Sequence, residues 1–232
     1  MDLIKEELRT RSDEISEFLE LIKFLEDGKM ITKESENSHE VTLSLKNTLK
    51  GQVFLLLYNL IEATMRESIS YIHDKLTERE ISFNQLRAEL RREILKRAKS
   101  DKVGLDELCR ETALDISKQL LAATFKKNKI FSGNIDHKEI CEQAKIYGFN
   151  TSTEYTKTKR GNSLKTIKDK RNDLAHGNSS FSEIGKPYSI QDIGNFVNEV
   201  INYLESITTH IADYLSQQDY LTKQDELSST DQ

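Results

Sequence analysis

Val53-Phe-Leu-Leu-Leu-Tyr-Asn-Leu-Ile61 is apolar almost all the way round a helical wheel. A helix of that kind is buried on more than one side. The stretch lies inside residues 41–78, the strongest helical segment of the chain, and reads as the central helix of an all-α fold. Asn59 and Glu62 interrupt its apolar surface. An unpaired buried carboxylate is strongly disfavoured, so Glu62 must be paired, exposed at a cleft, or placed at an interface. The longest apolar run, Val53 to Tyr58, is far shorter than the roughly 20 residues a membrane span needs.

Helical periodicity continues on both sides of this segment. Leu3, Ile4, Leu8, Ile15, Phe18, Leu19, Ile22 and Leu25 predict an amphipathic helix over residues 3–27, ending at Gly28. The polar residues 29–40 read as a loop. Two helices are expected at about 83–99 and 105–127, and a shorter one at 137–147, capped by Asp136 and stopped by Gly148. Residues 149–163 read as an exposed loop, with Ser163 as the cap of a helix that runs to Gly177. A connection over 177–188 leads to Ser189, which caps a last helix with a stripe from Ile190 to Leu215. Together these elements predict one helical domain over residues 1–215 and a frayed tail over 216–232. Its core helices are about 41–78, 163–177 and 189–215, with inserted helices within 82–148.

Composition agrees with this reading. One proline, no tryptophan, 36% hydrophobic and 31% charged residues suit a helical protein with charged outer faces. A net charge of −5 gives no global attraction to nucleic acid. Cys109 and Cys141 are too few for a disulfide framework and read as reduced, small buried hydrophobes. The acidic start, Met-Asp-Leu-Ile-Lys-Glu-Glu, lacks the pattern of a secretion signal. A soluble, cytoplasmic protein with no membrane association is expected.

Arg171-Asn-Asp-Leu-Ala-His176 is the candidate site. Histidine titrates near neutrality and can move a proton. Arginine offers a fixed charged fork for phosphate. On a straight helix, five residues turn through about 500°, so Arg171 and His176 stand about 140° apart, while Asn172 and His176 share a face. The pair therefore needs a wrapped side chain, a helix end within the motif, or a second chain. A surface arginine and a helix-terminal histidine are the bland alternative.

The context is basic. Lys157, Lys159, Arg160, Lys165, Lys168, Lys170 and Arg171 are offset by Asp169 alone, a local excess of six positive charges. Beside a catalytic histidine such a run reads as a track for a phosphate backbone, whereas a solvated charged face is the plainer reading. A second cluster, Arg87 to Lys102, reads as a solvated helix face. Of the other histidines only His137 has a His or Cys partner at i+3 or i+4, namely Cys141, and one such pair falls short of the ligands a zinc site takes, so no metal or other cofactor is expected. No carboxylate cluster suggests a two-metal nuclease.

Lys168-Asp-Lys-Arg-Asn-Asp-Leu-Ala-His176-Gly, late in a helical domain, resembles the signature of HEPN ribonucleases. More closely, the chain resembles the MAE-type HEPN-like nucleases over roughly residues 41–215. Leu57–Ala63, Phe131–Asp136 and Arg171–Ile193 carry that likeness. The resemblance implies an up-and-down helical bundle with additional helices inserted before the motif helix. It also implies a homodimer whose active site forms where two motifs meet, and metal-independent cleavage of RNA. Some HEPN proteins carry a tyrosine two residues after the motif histidine that a partner enzyme modifies. Here that position is Asn178.

In such a reaction a base deprotonates the ribose 2′-OH and an acid protonates the leaving 5′-oxygen. The products are a 2′,3′-cyclic phosphate and a 5′-hydroxyl. One histidine cannot do both in one step, but a symmetric dimer brings two. His176 is the expected base or acid, Arg171 the phosphate ligand and Asn172 a positioning group. Glu62, Asn59 and Asp173 are expected in support. Glu62 could orient His176, hold Arg171, or pair with another basic side chain. A toxin or anti-phage defence effector is the expected role, with an antitoxin or defence-system partner. A non-catalytic RNA-binding or adaptor module of the same fold, or a purely structural partner, are the rival readings.

Overall fold

The computed structural model describes residues 1–26, 29–31, 38–100, 131 and 133–223. The expected helix at 105–127, Cys109, Gly28, Lys102 and the end of the tail lie outside the described residues. Helix α1 spans Asp2–Glu26, and strands β1 (Lys29–Ile31) and β2 (Ser38–Glu40) follow. Helix α2 spans Leu43–Glu78, α3 Ala88–Ser100, α4 His137–Tyr147, α5 Tyr155–Thr158 and α6 Asn162–Ala175. Helices α7 (Phe181–Gly185) and α8 (Ile190–Gln217) complete the described chain. The fold is all-α apart from the small β1–β2 ribbon.

Helix α2 is central. Its 36 residues make it roughly 54 Å long. Thr42 caps it by accepting a hydrogen bond from the Leu45 amide at 3.2 Å. Val53, Phe54, Leu57, Tyr58 and Ile61 are wholly buried on different sides of it, because α1, α6, α7 and α8 all pack around it. Helix α8 lays Ile193, Val197, Val200, Leu204, Ile207, Ile211 and Leu215 into the same core. Its N-terminus is closed reciprocally: Asp192 N–H donates to Ser189 Oγ at 3.1 Å, and Ser189 N–H donates to Asp192 Oδ2 at 2.9 Å.

Several short elements depart from the expectations. Residues 29–31 and 38–40, expected in a loop, pair antiparallel with Met30 opposite His39. Ladder bonds there satisfy backbone groups that a bare loop would leave to water. The helix expected from residue 83 begins instead with a 3₁₀ turn, Phe83–Gln85, and restarts at Ala88. Buried Leu86 breaks the two, because it bridges to Leu221. The expected fraying from residue 216 is also wrong at its start. Tyr220 is wholly buried, and Arg87 N–H donates to its carbonyl at 2.9 Å.

Residues 149–163 are not an exposed loop. Phe149, Thr158 and Gly161 are buried, and α5 and a 3₁₀ turn occupy Tyr155–Gly161. Gly161, not Ser163, is the cap of α6, and the Ser163 hydroxyl instead donates to the Glu199 carboxylate on α8. The expected 177–188 connection contains α7, which lies hard against α2. A Cβ on Gly51 would stand 2.0 Å from the Phe181 carbonyl oxygen, and one on Gly185 would stand 2.0 Å from that of Asn47. Only glycines permit this crossing.

His73 on α2 is buried and meets the Tyr147 hydroxyl at 2.6 Å. Burial, reinforced by the Arg97 charge, pushes its pKa down to about 3. The unfolded chain therefore takes up this proton first as pH falls. Stability contributed by neutral His73 is present above pH 6.5 and is lost between about 6.5 and 3. Urea titrations across that range should show a slope that His73→Gln reduces. An unchanged slope would refute the assignment.

Candidate active site

Helix α6 carries the motif, and its apolar side sets the arginine. Leu164 and Ile167 are wholly buried. Arg171 falls four residues after Ile167 and so points inward with them. Its guanidinium carbon lies 3.9 Å from the centroid of the Tyr58 ring on α2. One nitrogen donates to the Gly133 carbonyl at 2.9 Å and stands 3.6 Å from Glu62 Oε2. The other donates to Asn172 Oδ1 at 2.9 Å.

This arginine is one strut of a larger frame. Glu62 also accepts from Arg66 Nε at 3.1 Å, so its carboxylate is shared by two guanidiniums. Tyr58 Oη donates to the Gly133 carbonyl at 2.5 Å and accepts from the Ile135 amide at 3.2 Å. Burial raises the Tyr58 pKa, against the opposing pull of the Ile135 amide and Arg171. Asn172 extends the frame outward, with Nδ2 donating to Asn134 Oδ1 at 2.9 Å. Lys168 ties α6 to Asp136, the cap of α4, with both side chains largely buried. Burial disfavours the ionised Asp136 carboxyl, yet hydrogen bonds from Lys168 and the Glu139 amide outweigh it and hold the pKa below the usual range.

His176 occupies a different setting. It is the C-cap of α6, is exposed, and its ring makes no hydrogen bond or ion pair among the described residues. The helix end is closed around it. The Gly177 amide donates to the Leu174 carbonyl at 3.2 Å, and the Asn178 amide to that of Asp173 at 2.8 Å. Gly177 takes the positive φ of 70° that this turn requires. Imidazole, Asn172 and the Asn134 amide thus face outward, with Arg171 beneath them. Within one chain the structure brings Arg171 to Asn172 but not to His176.

A family model described as MAE_28990-like HEPN matches residues 1–220. The chain belongs to this HEPN family. No curated protein and no solved structure matches it.

The supporting residues of the HEPN motif separate in the structure. Glu62 holds Arg171 and Arg66 and makes no contact with His176. Asn59 is exposed and makes no side-chain hydrogen bond among the described residues. Asp173 contributes its carbonyl to the helix end, and its carboxylate has no ion pair among those residues. The basic run does not form one track. Lys168 is sequestered by Asp136, Lys165 pairs with Asp169, and Lys157 pairs with Glu154. Lys159 and Arg160 flank Tyr155 at the far end of α6, and partly buried Lys170 makes no ion pair among the described residues. Tyr58, Arg66, Asn134 and Asp136 were missed as site residues. Their partners lie up to 77 positions away along the chain, and the likeness at 57–63 and 131–136 pointed only toward Tyr58, Asn134 and Asp136, not toward Arg66. Among the described residues, no three of His, Cys, Asp and Glu gather closely enough to hold a metal ion, and no helix is long and apolar enough to cross a membrane.

Arg171→Lys should destabilise the protein by about 1–3 kcal/mol in chemical denaturation, because an ammonium cannot stack on Tyr58 and reach both Gly133 and Asn172. Wild-type stability in that variant would mean the fork does not hold the 133–135 segment.

Proposed function

We propose that the chain is a metal-independent endoribonuclease that acts as a homodimer. The observation that carries this reading is the exposed His176, without a hydrogen-bond partner among the described residues, held on a closed helix end that also carries Asn172 and a half-buried, fixed Arg171. An imidazole without internal partners is free to exchange a proton with a substrate. In the dimer, His176 of one copy removes the 2′-OH proton and that of the other protonates the leaving 5′-oxygen. Arg171 and Asn172 orient the scissile phosphate. The products are a 2′,3′-cyclic phosphate and a 5′-hydroxyl. Family resemblance favours a toxin or anti-phage defence role, with an antitoxin or defence-system protein as a partner.

One observation favours a second reading. The Arg171 guanidinium is engaged by Glu62, Gly133, Asn172 and the Tyr58 ring, as a structural arginine would be. On that reading the chain is a non-catalytic RNA-binding or adaptor module. Incubation of purified protein with mixed cellular RNA in EDTA separates the two. The ribonuclease yields fragments whose 3′ ends resist ligation until the cyclic phosphate is opened and the resulting phosphate removed. Intact RNA, retained in a complex that dissolves with salt, would establish the second reading and refute the first.

A further inference from the structure

The fold divides the basic run that the sequence joins to the motif. Lys159 and Arg160 gather at the start of α6, and a helix of 14 residues places them roughly 21 Å along its axis from His176. Tyr155, 55% exposed, stands close to both charged groups, which lie 5.3 and 5.7 Å from its ring centroid. Lys159 (φ 46°) and Arg160 (φ 53°) both adopt the left-handed backbone conformation that such side chains rarely take. The strain is held in place, since the Arg160 amide donates to the Thr158 hydroxyl at 3.1 Å and Gly161 is buried behind it. Strain maintained under exposed basic residues marks functional surface more often than filler.

A cavity of about 430 Å³ opens beside this platform, between residues 152–158 and α8. That volume lies within the range of small-ligand sites. Ser152, Thr153, Ser206 and Asn202 supply hydroxyl and amide groups to its wall. His210 also lines it, and its Nδ1 is buried with no hydrogen-bond partner among the described residues. Asn202 spends one N–H on the Asn198 carbonyl at 2.7 Å, which leaves its oxygen and second N–H for a ligand. Lys157 and Glu154 pair with each other on the wall, which leaves Glu205 to oppose an anion inside, while Lys159 and Arg160 favour one outside. The combination fits a flat, neutral group with a hydrogen-bonding edge, attached to a phosphate that stays at the rim.

We propose that this cavity receives an unpaired nucleobase of single-stranded RNA, with Tyr155, Lys159 and Arg160 carrying the adjoining nucleotide. The choice of RNA rests on the ribonuclease reading above. The cavity then reads a base remote from the cut, so cleavage depends on a nucleotide that the motif does not touch.

The test uses full-length protein carrying His176→Ala to prevent cutting. It is titrated with a labelled single-stranded RNA of about 12 nucleotides, a span typical of single-strand-binding sites, and with the four nucleoside 5′-monophosphates. Tyr155→Ala and Asn202→Leu are each expected to weaken RNA binding about tenfold, with thermal unfolding confirming that both fold. A monophosphate that protects the parent against heat should fail to protect Asn202→Leu. Unchanged RNA affinity in both variants overturns the pocket, while cleavage by the wild-type protein would leave the ribonuclease reading standing. Monophosphate binding that Asn202→Leu abolishes, without any RNA cleavage by wild type, keeps the pocket and overturns that reading. Neither binding nor cleavage overturns both. Where monophosphates bind too weakly to detect, the response of the longer RNA decides.

Discussion

His176→Ala should lower RNA cleavage by about 10²–10⁴-fold, the usual worth of a positioned acid or base. It should leave stability within about 0.5 kcal/mol of wild type, as for exposed residues without partners. The dissociation of the two effects is the informative part. The ring is exposed and makes no hydrogen bond or ion pair among the described residues, so its removal strands no buried group. The helix end that carries it is closed by backbone hydrogen bonds from Gly177 and Asn178, which alanine leaves intact. A variant that cuts RNA at the wild-type rate would eliminate His176 from the chemistry. A variant that unfolds would contradict its exposed placement.

Gly51→Ala should be among the most damaging single methyls in the described protein. The added carbon would lie 2.0 Å from the Phe181 carbonyl oxygen and 2.8 Å from its carbonyl carbon. Both are backbone atoms, which cannot rotate away as a side chain would. Helix α7 must therefore shift off α2, exposing Ile184, which is 2% exposed in the native packing. Overpacking of this kind costs about 1–3 kcal/mol, and the lost burial of an isoleucine adds roughly 1.5–3 more. Gly194→Ala is the matched control. A Cβ there meets only the Leu19 side chain at 3.8 Å, and alanine is the better helix former by about 1 kcal/mol. Denaturant midpoints should move in opposite directions for the two variants. Cleavage should fall in the first as well, because α7 begins only five residues after His176. Equal midpoints would show that the α2–α7 crossing is looser than its geometry.

The long helices were legible because their periodicity is repeated over many turns. Helix α2 announces itself through Val53 to Ile61, and α8 through its stripe from Ile193 to Leu215. Helices α5 and α7 were not legible. Four or five residues cannot display a period of 3.6, and what fixes α7 is the glycine contact with a helix over a hundred residues away in the chain. The motif was visible as a string, and helix geometry already separated Arg171 from His176. Nothing in the string shows that Arg171 stacks on Tyr58 or that Lys168 is taken by Asp136. Those partners are chosen by tertiary packing, and a solvated basic face looks the same in sequence as a sequestered one.

Tyr58 reaches Gly133 across 75 positions, and Arg171 reaches the same carbonyl across a further 38. The frame is thus closed by two long loops, and closing long loops delays folding until most of the chain is present. A nascent chain halted before α6 can build α1 and α2, with Glu62 already paired to Arg66, but it lacks the second guanidinium, Arg171, that ties the 133–135 segment to the motif helix. On the ribonuclease reading, competence to act therefore arrives only once α6 has emerged, and products truncated before it are expected to be inert.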